Sequence, residues 1–283
     1  MGKRLTVPEL ERLAKAGEAE AQNELGLRYE TGDGVAKSDR KAAGWYKKAA
    51  KQGYAEALNN LGVCYEQGKG LIRSAKKAFL CYKNAAEKGF SAAVLNLGDC
   101  YSHGIGTEKD AAAAFSCYKK TAGQGMPEGQ YRLAGCYRDG RGVTEDAARA
   151  FALYKSAAEQ GLSRAQYCLG VCYAEGTGTP ANSAEAVKWF RKAAEQGLAQ
   201  AQLELELCCE RGEGTAKSAQ ECVKWLKKAA VQSYAEAQYR LGMCYYEGAG
   251  VGQSVSEALR WMRLAVQNGS EEARKTLKKL GYA

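Results

Sequence analysis

The chain has 283 residues, 41 lysines and arginines against 32 aspartates and glutamates, a formal net charge of +9, one histidine and eleven cysteines. No Gly-x-Ser-x-Gly elbow and no HExxH motif accompanies the single histidine, His103, and no run of about 18 apolar residues offers a membrane-spanning helix. The positive balance allows attraction to acidic partners and says nothing about fold.

The opening MGKRLTVPELERL lacks the apolar centre of a secretory leader. Gly2 and Thr6 match the loose N-myristoylation pattern, with neither a polybasic stretch nor a second lipid site beside them. The expectation is a cytoplasmic protein without a membrane span, with myristoylation at Gly2 as a minor alternative. Residues 8 to 16, PELERLAKA, read as a short capping helix with Pro8 in its first turn.

From residue 18 the chain becomes periodic. Gly17, Gly53, Gly89, Gly125, Gly161, Gly197 and Gly269 fall on a 36-residue grid that only Ser233 breaks. Such a period must be recognised before any domain count, because it marks a stack of repeats. The repeats run 18–53, 54–89, 90–125, 126–161, 162–197, 198–233 and 234–269, followed by a charged capping helix in 270–283. In the second repeat Ala57, Leu61, Cys64 and Tyr65 form one helical stripe, and Ala78, Cys81, Tyr82 and Ala85 form another. Each period therefore reads as a pair of amphipathic helices. Ser38, Ser74, Asp110, Asp146, Asn182, Ser218 and Ser254 precede the second helices, and all are residue types whose side-chain oxygens cap a first turn. A Gly-x-Gly pair, Gly32/Gly34 through Gly248/Gly250, ends each first helix; it follows a helix and lacks the GxxxxGK[ST] pattern, so it reads as turn chemistry and not as a phosphate loop.

The phrases A-x-A-Q-x-x-L-G-x-x-Y-x-x-G-x-G-V and K-A-x-x-W-Y-x-K-A-A-x-x-G, fullest in repeats one and five, resemble the Sel1-like repeat, a relative of the tetratricopeptide repeat. The resemblance implies an all-α, right-handed superhelical α/α solenoid of seven helix-turn-helix repeats. It further implies a non-enzymatic scaffold or adaptor that holds a protein or peptide in the concave groove lined by first helices. The alternatives are a small-molecule or cell-wall-fragment binding or hydrolytic protein, and a consensus-like or engineered stack without a selected ligand. No cofactor, metal or catalytic residue is expected, and nucleic acid is disfavoured because base-stacking motifs are lacking.

Six cysteines, Cys64, Cys100, Cys136, Cys172, Cys208 and Cys244, recur every 36 residues. Stacked helices lie about 8 to 10 Å apart, beyond the roughly 7 Å Cα limit of a disulfide, so bridging along this column is ruled out. Within a repeat Cys64 has Cys81 and Cys100 has Cys117 as counterparts, but the same position elsewhere is Leu153, Trp189, Trp225 or Trp261. The column reads as structural thiols acting as small buried hydrophobes.

Two further first-helix columns change from repeat to repeat: Asn23, Asn59, Leu95, Tyr131, Tyr167, Leu203, Tyr239, and Glu24, Asn60, Asn96, Arg132, Cys168, Glu204, Arg240. Asparagine can pair with both N–H and C=O of an extended peptide, and tyrosine offers flat contact area with few rotors to order. The candidate peptide-binding residues are therefore Asn59, Asn60, Leu95, Asn96, Tyr131, Arg132, Tyr167, Tyr239 and Arg240. The competing reading is packing between repeats. A basic second-helix column, Lys47, Lys83, Lys119, Lys155, Arg191, Lys227, Arg263, reads as a solubilising face. Repeat six departs most: Glu206 replaces a glycine, Cys209 a tyrosine and Ser233 the closing glycine, with Glu206 expected to occupy volume released at Cys209.

Overall fold

The computed structural model describes residues 5 to 282; Gly2 of the myristoylation pattern lies outside them. Among the described residues there are sixteen α-helices and no strand, and no helix is long and apolar enough to cross a membrane. The chain divides into two compact units at Glu145/Asp146. Unit 1 contains α1 (Val7–Ala16), α2 (Ala19–Thr31), α3 (Asp39–Lys51), α4 (Ala55–Gln67), α5 (Ala75–Glu87), α6 (Ser91–His103), α7 (Ala111–Gly123) and α8 (Pro127–Asp139). Unit 2 contains α9 (Ala147–Glu159), α10 (Ser163–Glu175), α11 (Ser183–Glu195), α12 (Ala199–Arg211), α13 (Ala219–Ala230), α14 (Ala235–Glu247), α15 (Val255–Gln267) and α16 (Glu271–Lys279). Within each unit every helix packs on the next, giving an all-α solenoid of helix pairs.

The helix ends follow the local chemistry. All seven residues from Ser38 to Ser254 cap their second helices, each side chain accepting from the backbone N–H three residues on. The turn is closed from the other side by the same residues: the Ser74 N–H donates to the Tyr65 carbonyl at 2.9 Å, and Asp110 to Tyr101 at 2.9 Å. From repeat two onward the second glycine of each pair locks the loop onto the preceding repeat, and Gly34 lies against Val7 of α1. A Cβ on Gly70 would run into the Asp39 carbonyl, and one on Gly106 into that of Ala75.

In repeats one, two, three and five the spacing of the two helices is set by a ring lying on a glycine, and in repeat seven Met262 lies on Gly242 in the same way. A Cβ added to Gly26 would come 2.5 Å from the Tyr46 ring, one at Gly62 2.6 Å from Tyr82, and one at Gly170 2.5 Å from Phe190. The phenols end on carboxylates: Tyr46 donates to Glu30 at 2.6 Å, Tyr82 to Glu66 at 2.6 Å and Tyr118 to Asp99 at 2.7 Å. Where Phe190 has no hydroxyl, Ala174 stands in the acceptor position. Successive repeats add edge-to-face ring pairs, Phe79 with Tyr101 and Phe115 with Tyr137, at 5.5 and 5.6 Å.

Repeat six shows the rule by breaking it. Glu206 sits in the glycine column and is 4 % exposed. Leu226 stands where Tyr46 and Tyr82 stand in repeats one and two, and Glu206 and Cys209 line one hollow together. The Arg240 Nη1 lies 3.0 Å from Glu206 Oε2, but off the hydrogen-bonding direction, so this oxygen is buried without a hydrogen bond. Burial, reinforced by Glu210 and Glu236 and opposed by Arg240, pushes the Glu206 carboxyl up to about 7. The same repeat ends irregularly: α13 is 12 residues long, and Ser233, with φ of 65°, is the non-glycine residue in the left-handed region.

Two measurements follow from this repeat. A left-handed conformation costs a residue with a Cβ about 1–2 kcal/mol, partly offset by glycine's greater freedom when unfolded. Ser233→Gly is thus expected to raise the urea midpoint, by about 0.5–1 kcal/mol of stability; an unchanged or lower midpoint would show that Ser233 is not strained. For Glu206 the folded chain holds its proton more tightly than the unfolded one, whose ordinary value is 4.5. Stability is therefore lost as pH rises from about 4.5 through about 7. At roughly 1.4 kcal/mol per unit this is on the order of 3 kcal/mol. Urea titrations at pH 5 and pH 8 should show that loss in the parent and its near absence in Glu206→Gln.

Candidate functional site

The candidate face is built from first helices, whose two variable columns turn out to be partners of each other. In unit 1 the Asn60 Nδ2 donates to Asn23 Oδ1 at 3.0 Å, and Asn96 Nδ2 donates to Asn59 Oδ1 at 2.8 Å. Both pairs are separated by 37 residues, one repeat plus one position. They tie α2 to α4 and α4 to α6. The register returns in unit 2, where the Tyr239 hydroxyl lies 3.1 Å from Thr276 Oγ1 and the Tyr167 hydroxyl hydrogen-bonds Glu204. Burial is the main influence on both members of the latter pair, raising the Glu204 carboxyl and pushing Tyr167 up to about 12.

Where a leucine occupies the first member of a rung, the arginine at the second turns back along the preceding first helix. Arg132, one position past the Leu95 register, donates through Nη2 to Asp99 at 3.0 Å, while its guanidinium lies 5.9 Å from the Tyr131 ring. Arg240, in the register of Leu203, sits 3.0 Å from Glu206, 2.8 Å from Glu210 and 3.9 Å from Glu236. The columns are legible in the sequence; the rungs between them are not. Their signal was a 37-residue spacing of complementary side chains, hidden beside a stronger 36-residue identity grid.

The nine candidates thus divide by exposure and engagement. Asn59 is buried, 8 % exposed, and serves as the acceptor for Asn96. Asn60, Leu95, Asn96, Tyr131 and Arg132 are half-buried on unit 1; Tyr167, Tyr239 and Arg240 are half-buried on unit 2. A primary amide has two N–H donors and a carbonyl with two lone pairs. The rungs use one N–H each of Asn60 and Asn96, leaving the second N–H and the carbonyl of each for an outside group.

All eleven cysteines are free thiols. Of the recurring column, Cys64, Cys100, Cys136 and Cys172 are buried, whereas Cys208 and Cys244 are half-buried. Burial pushes Cys64 up to about 11 and Cys100 up to about 12, so both are protonated and poorly nucleophilic near neutrality. The carboxylates nearest to a cluster, Glu206, Glu210 and Glu236, converge on Arg240. Among the described residues no group of three or more His, Cys, Asp or Glu has metal-holding geometry.

Comparison with known proteins agrees with this architecture. The Sel1 repeat profile matches residues 19–54, 55–90, 91–126, 127–162, 163–198, 199–233 and 235–270. No curated protein matches the chain. Among solved structures, a protective antigen present in uropathogenic Escherichia coli strains, displaying an SLR fold, is 34 % identical over 98 % of this chain, with a TM-score of 0.82. The chain spans 59 % of that antigen's length. A Sel1 repeat protein from Oxalobacter formigenes is 33 % identical, covering 96 % of this chain and 79 % of its own, with a TM-score of 0.79. An immunity protein from Pseudomonas aeruginosa, PA5088, shares the fold at 20 % identity over 77 % of this chain and 82 % of its own, with a TM-score of 0.52. With the repeat profile matched along nearly its whole length and relatives a third identical to it, the chain belongs to the Sel1 repeat family.

Proposed function

We propose that this chain is a non-enzymatic interaction scaffold that holds an extended protein segment against the first-helix face of unit 1. Sel1 repeat proteins are in general protein-interaction scaffolds, and the finer reading rests on one observation. Asn60 and Asn96 stand at equivalent positions of consecutive first helices, each pinned by one amide hydrogen and each left with one donor and one acceptor. Pinning removes rotamer freedom before a partner arrives, which lowers the ordering cost of binding. An extended backbone presents its own N–H and C=O groups at the side, and two fixed amides can each take one of both. Tyr131 and Arg132 border them on the next first helix of the unit, with the arginine held by Asp99.

Cys64 and Cys100, buried and held protonated, are not activated nucleophiles, and the carboxylates around Arg240 are engaged by it, which favours binding over hydrolysis. The scaffold reading is tested by three variants compared in quantitative affinity capture against the parent. Asn60→Ala/Asn96→Ala is expected to lose a captured partner by at least about tenfold, corresponding to roughly 1.4 kcal/mol. Asn23→Ala removes a buried rung acceptor while keeping Asn60 and Asn96, and is expected to lower stability by about 1–2 kcal/mol and, by unpinning Asn60 alone, to weaken capture less than the double variant does. Identical capture by the parent and the double variant, both folded by circular dichroism, would exclude the clamp.

A further inference from the structure

In unit 1 charge separates by helix class. The second helices α3, α5 and α7 carry ten lysines and arginines against two carboxylates, Asp39 and Glu87. All ten cations are exposed. The first helices α2, α4, α6 and α8 carry eight carboxylates against three arginines. Unit 2 treats the same second-helix face differently. In its α11, α13 and α15, first-turn glutamates neutralise the cations, Glu185 with Lys188 at 3.1 Å, Glu221 with Lys224 at 3.2 Å and Glu257 with Arg260 at 3.4 Å, and in α9 Arg149 at that position pairs with the cap Asp146 at 3.1 Å. The matching positions in unit 1 are Lys41, Lys77 and Ala113. Lys47, Lys83 and Lys119, one per repeat, make no ion pair among the described residues.

A built feature sits on this face. Between α1 and α3 lies a hollow of about 390 Å³, lined by Tyr29, Trp45, Lys41 and Lys48 and, from α1, by Glu11 and Lys15, which pair with each other at 3.4 Å; Gly44 opens it. A Cβ on Gly44 would meet nothing within 4 Å. Its counterparts in the next two repeats are Leu80 and Ser116, so the opening belongs to repeat one. Lys48 Nζ stands 3.8 Å from the centroid of the Trp45 ring, and Lys41 Nζ 5.1 Å from that of Tyr29. A ring already covered by an ammonium group is a poor stacking platform for a nucleobase. It is a good seat for a carboxylate, which pairs with the lysine while the cation–π contact stays in place.

We propose that the second-helix face of unit 1 docks an acidic segment of a partner protein, with one carboxylate seated over Trp45 between Lys41 and Lys48 and others meeting the Lys47, Lys83 and Lys119 row. The face is separate from the first-helix clamp and does not depend on it. Unpaired like charges give long-range steering toward an acidic partner, and the hollow gives the register.

The test is fluorescence anisotropy with the full chain and a fluorescein-labelled polyglutamate peptide, over a range of salt concentrations. The parent is expected to bind it, more weakly at higher salt. Lys47→Glu/Lys83→Glu/Lys119→Glu should weaken binding by at least about tenfold. Gly44→Leu, which fills the hollow without changing charge, should weaken it about threefold. Both changes lie at exposed positions, and a matched far-UV spectrum and melting curve verify folding. Equal affinity in the parent and the triple variant would overturn the docking face. Full affinity in Gly44→Leu would overturn the seat over Trp45. Tighter binding of a duplex oligonucleotide, or of phosphatidylserine vesicles, with the same loss in the triple variant would overturn the choice of an acidic protein segment.

Discussion

A flat ring laid on a glycine fixes how close the two helices of a repeat can come, and most other features adjust to that distance. A glycine in a helix interior costs about 1 kcal/mol relative to alanine, whereas burying a large apolar side chain returns roughly 1.5–3 kcal/mol. The exchange is favourable only when the ring lies where the Cβ would have been, as Tyr46, Tyr82 and Phe190 do. The ring's own polar end then demands an acceptor, and Glu30 and Glu66 supply it from one helical turn further along the first helix. When the ring loses its hydroxyl at Phe190 the acceptor becomes Ala174. When the ring disappears at Leu226, Glu210 loses that role and pairs with Arg240, and a buried carboxylate enters at Glu206.

With the helix pair set, stacking is governed by register. The loop glycines rest on the first turn of the preceding second helix, and glutamines at the start of several first helices reach the end of the preceding one. Gln22 donates to the Ala14 carbonyl at 3.0 Å and Gln166 to Ala158 at 3.2 Å, each a buried bond eight residues back. These glutamines are in turn held by Gln52 and Gln196 from the end of the same repeat's second helix, at 2.9 and 2.7 Å. Leu58 and Val94 stand at the glutamine position in repeats two and three, and packing replaces the hydrogen bond there.

What the sequence revealed was whatever is local. The apolar stripes, the N-cap residues and the turn glycines each act within a few residues, so their spacing alone locates every helix of the repeats. The features it concealed join residues whose separation is not a multiple of the repeat. Ring on glycine joins positions 20 apart across a turn, which is why the contact of Gly62 with Tyr82 does not show in the spacing of either helix. The rungs join positions 37 apart, so Asn59 read as surface and proved to be a buried acceptor. The hollow at Gly44 needed α1 and α3 side by side before an unremarked glycine could be seen as an opening.

The rungs also constrain how this face can vary. Where a first-column residue bonds a side chain 37 residues on, as Asn23, Asn59, Tyr167 and Tyr239 do, neither partner can change for a ligand's sake without leaving a polar group unpaired, at about 1–3 kcal/mol where it is buried. The chain shows the permitted solutions: amide with amide at Asn23 and Asn60, phenol with carboxylate at Tyr167 and Glu204, phenol with hydroxyl at Tyr239 and Thr276. The fourth solution, leucine followed by arginine, occurs at Leu95/Arg132 and again at Leu203/Arg240, and in both the guanidinium is recovered by a carboxylate on the preceding first helix. A first-helix face built this way changes in coupled pairs, whereas the second-helix face of unit 1, whose lysines hold no such partners, is free to change one residue at a time.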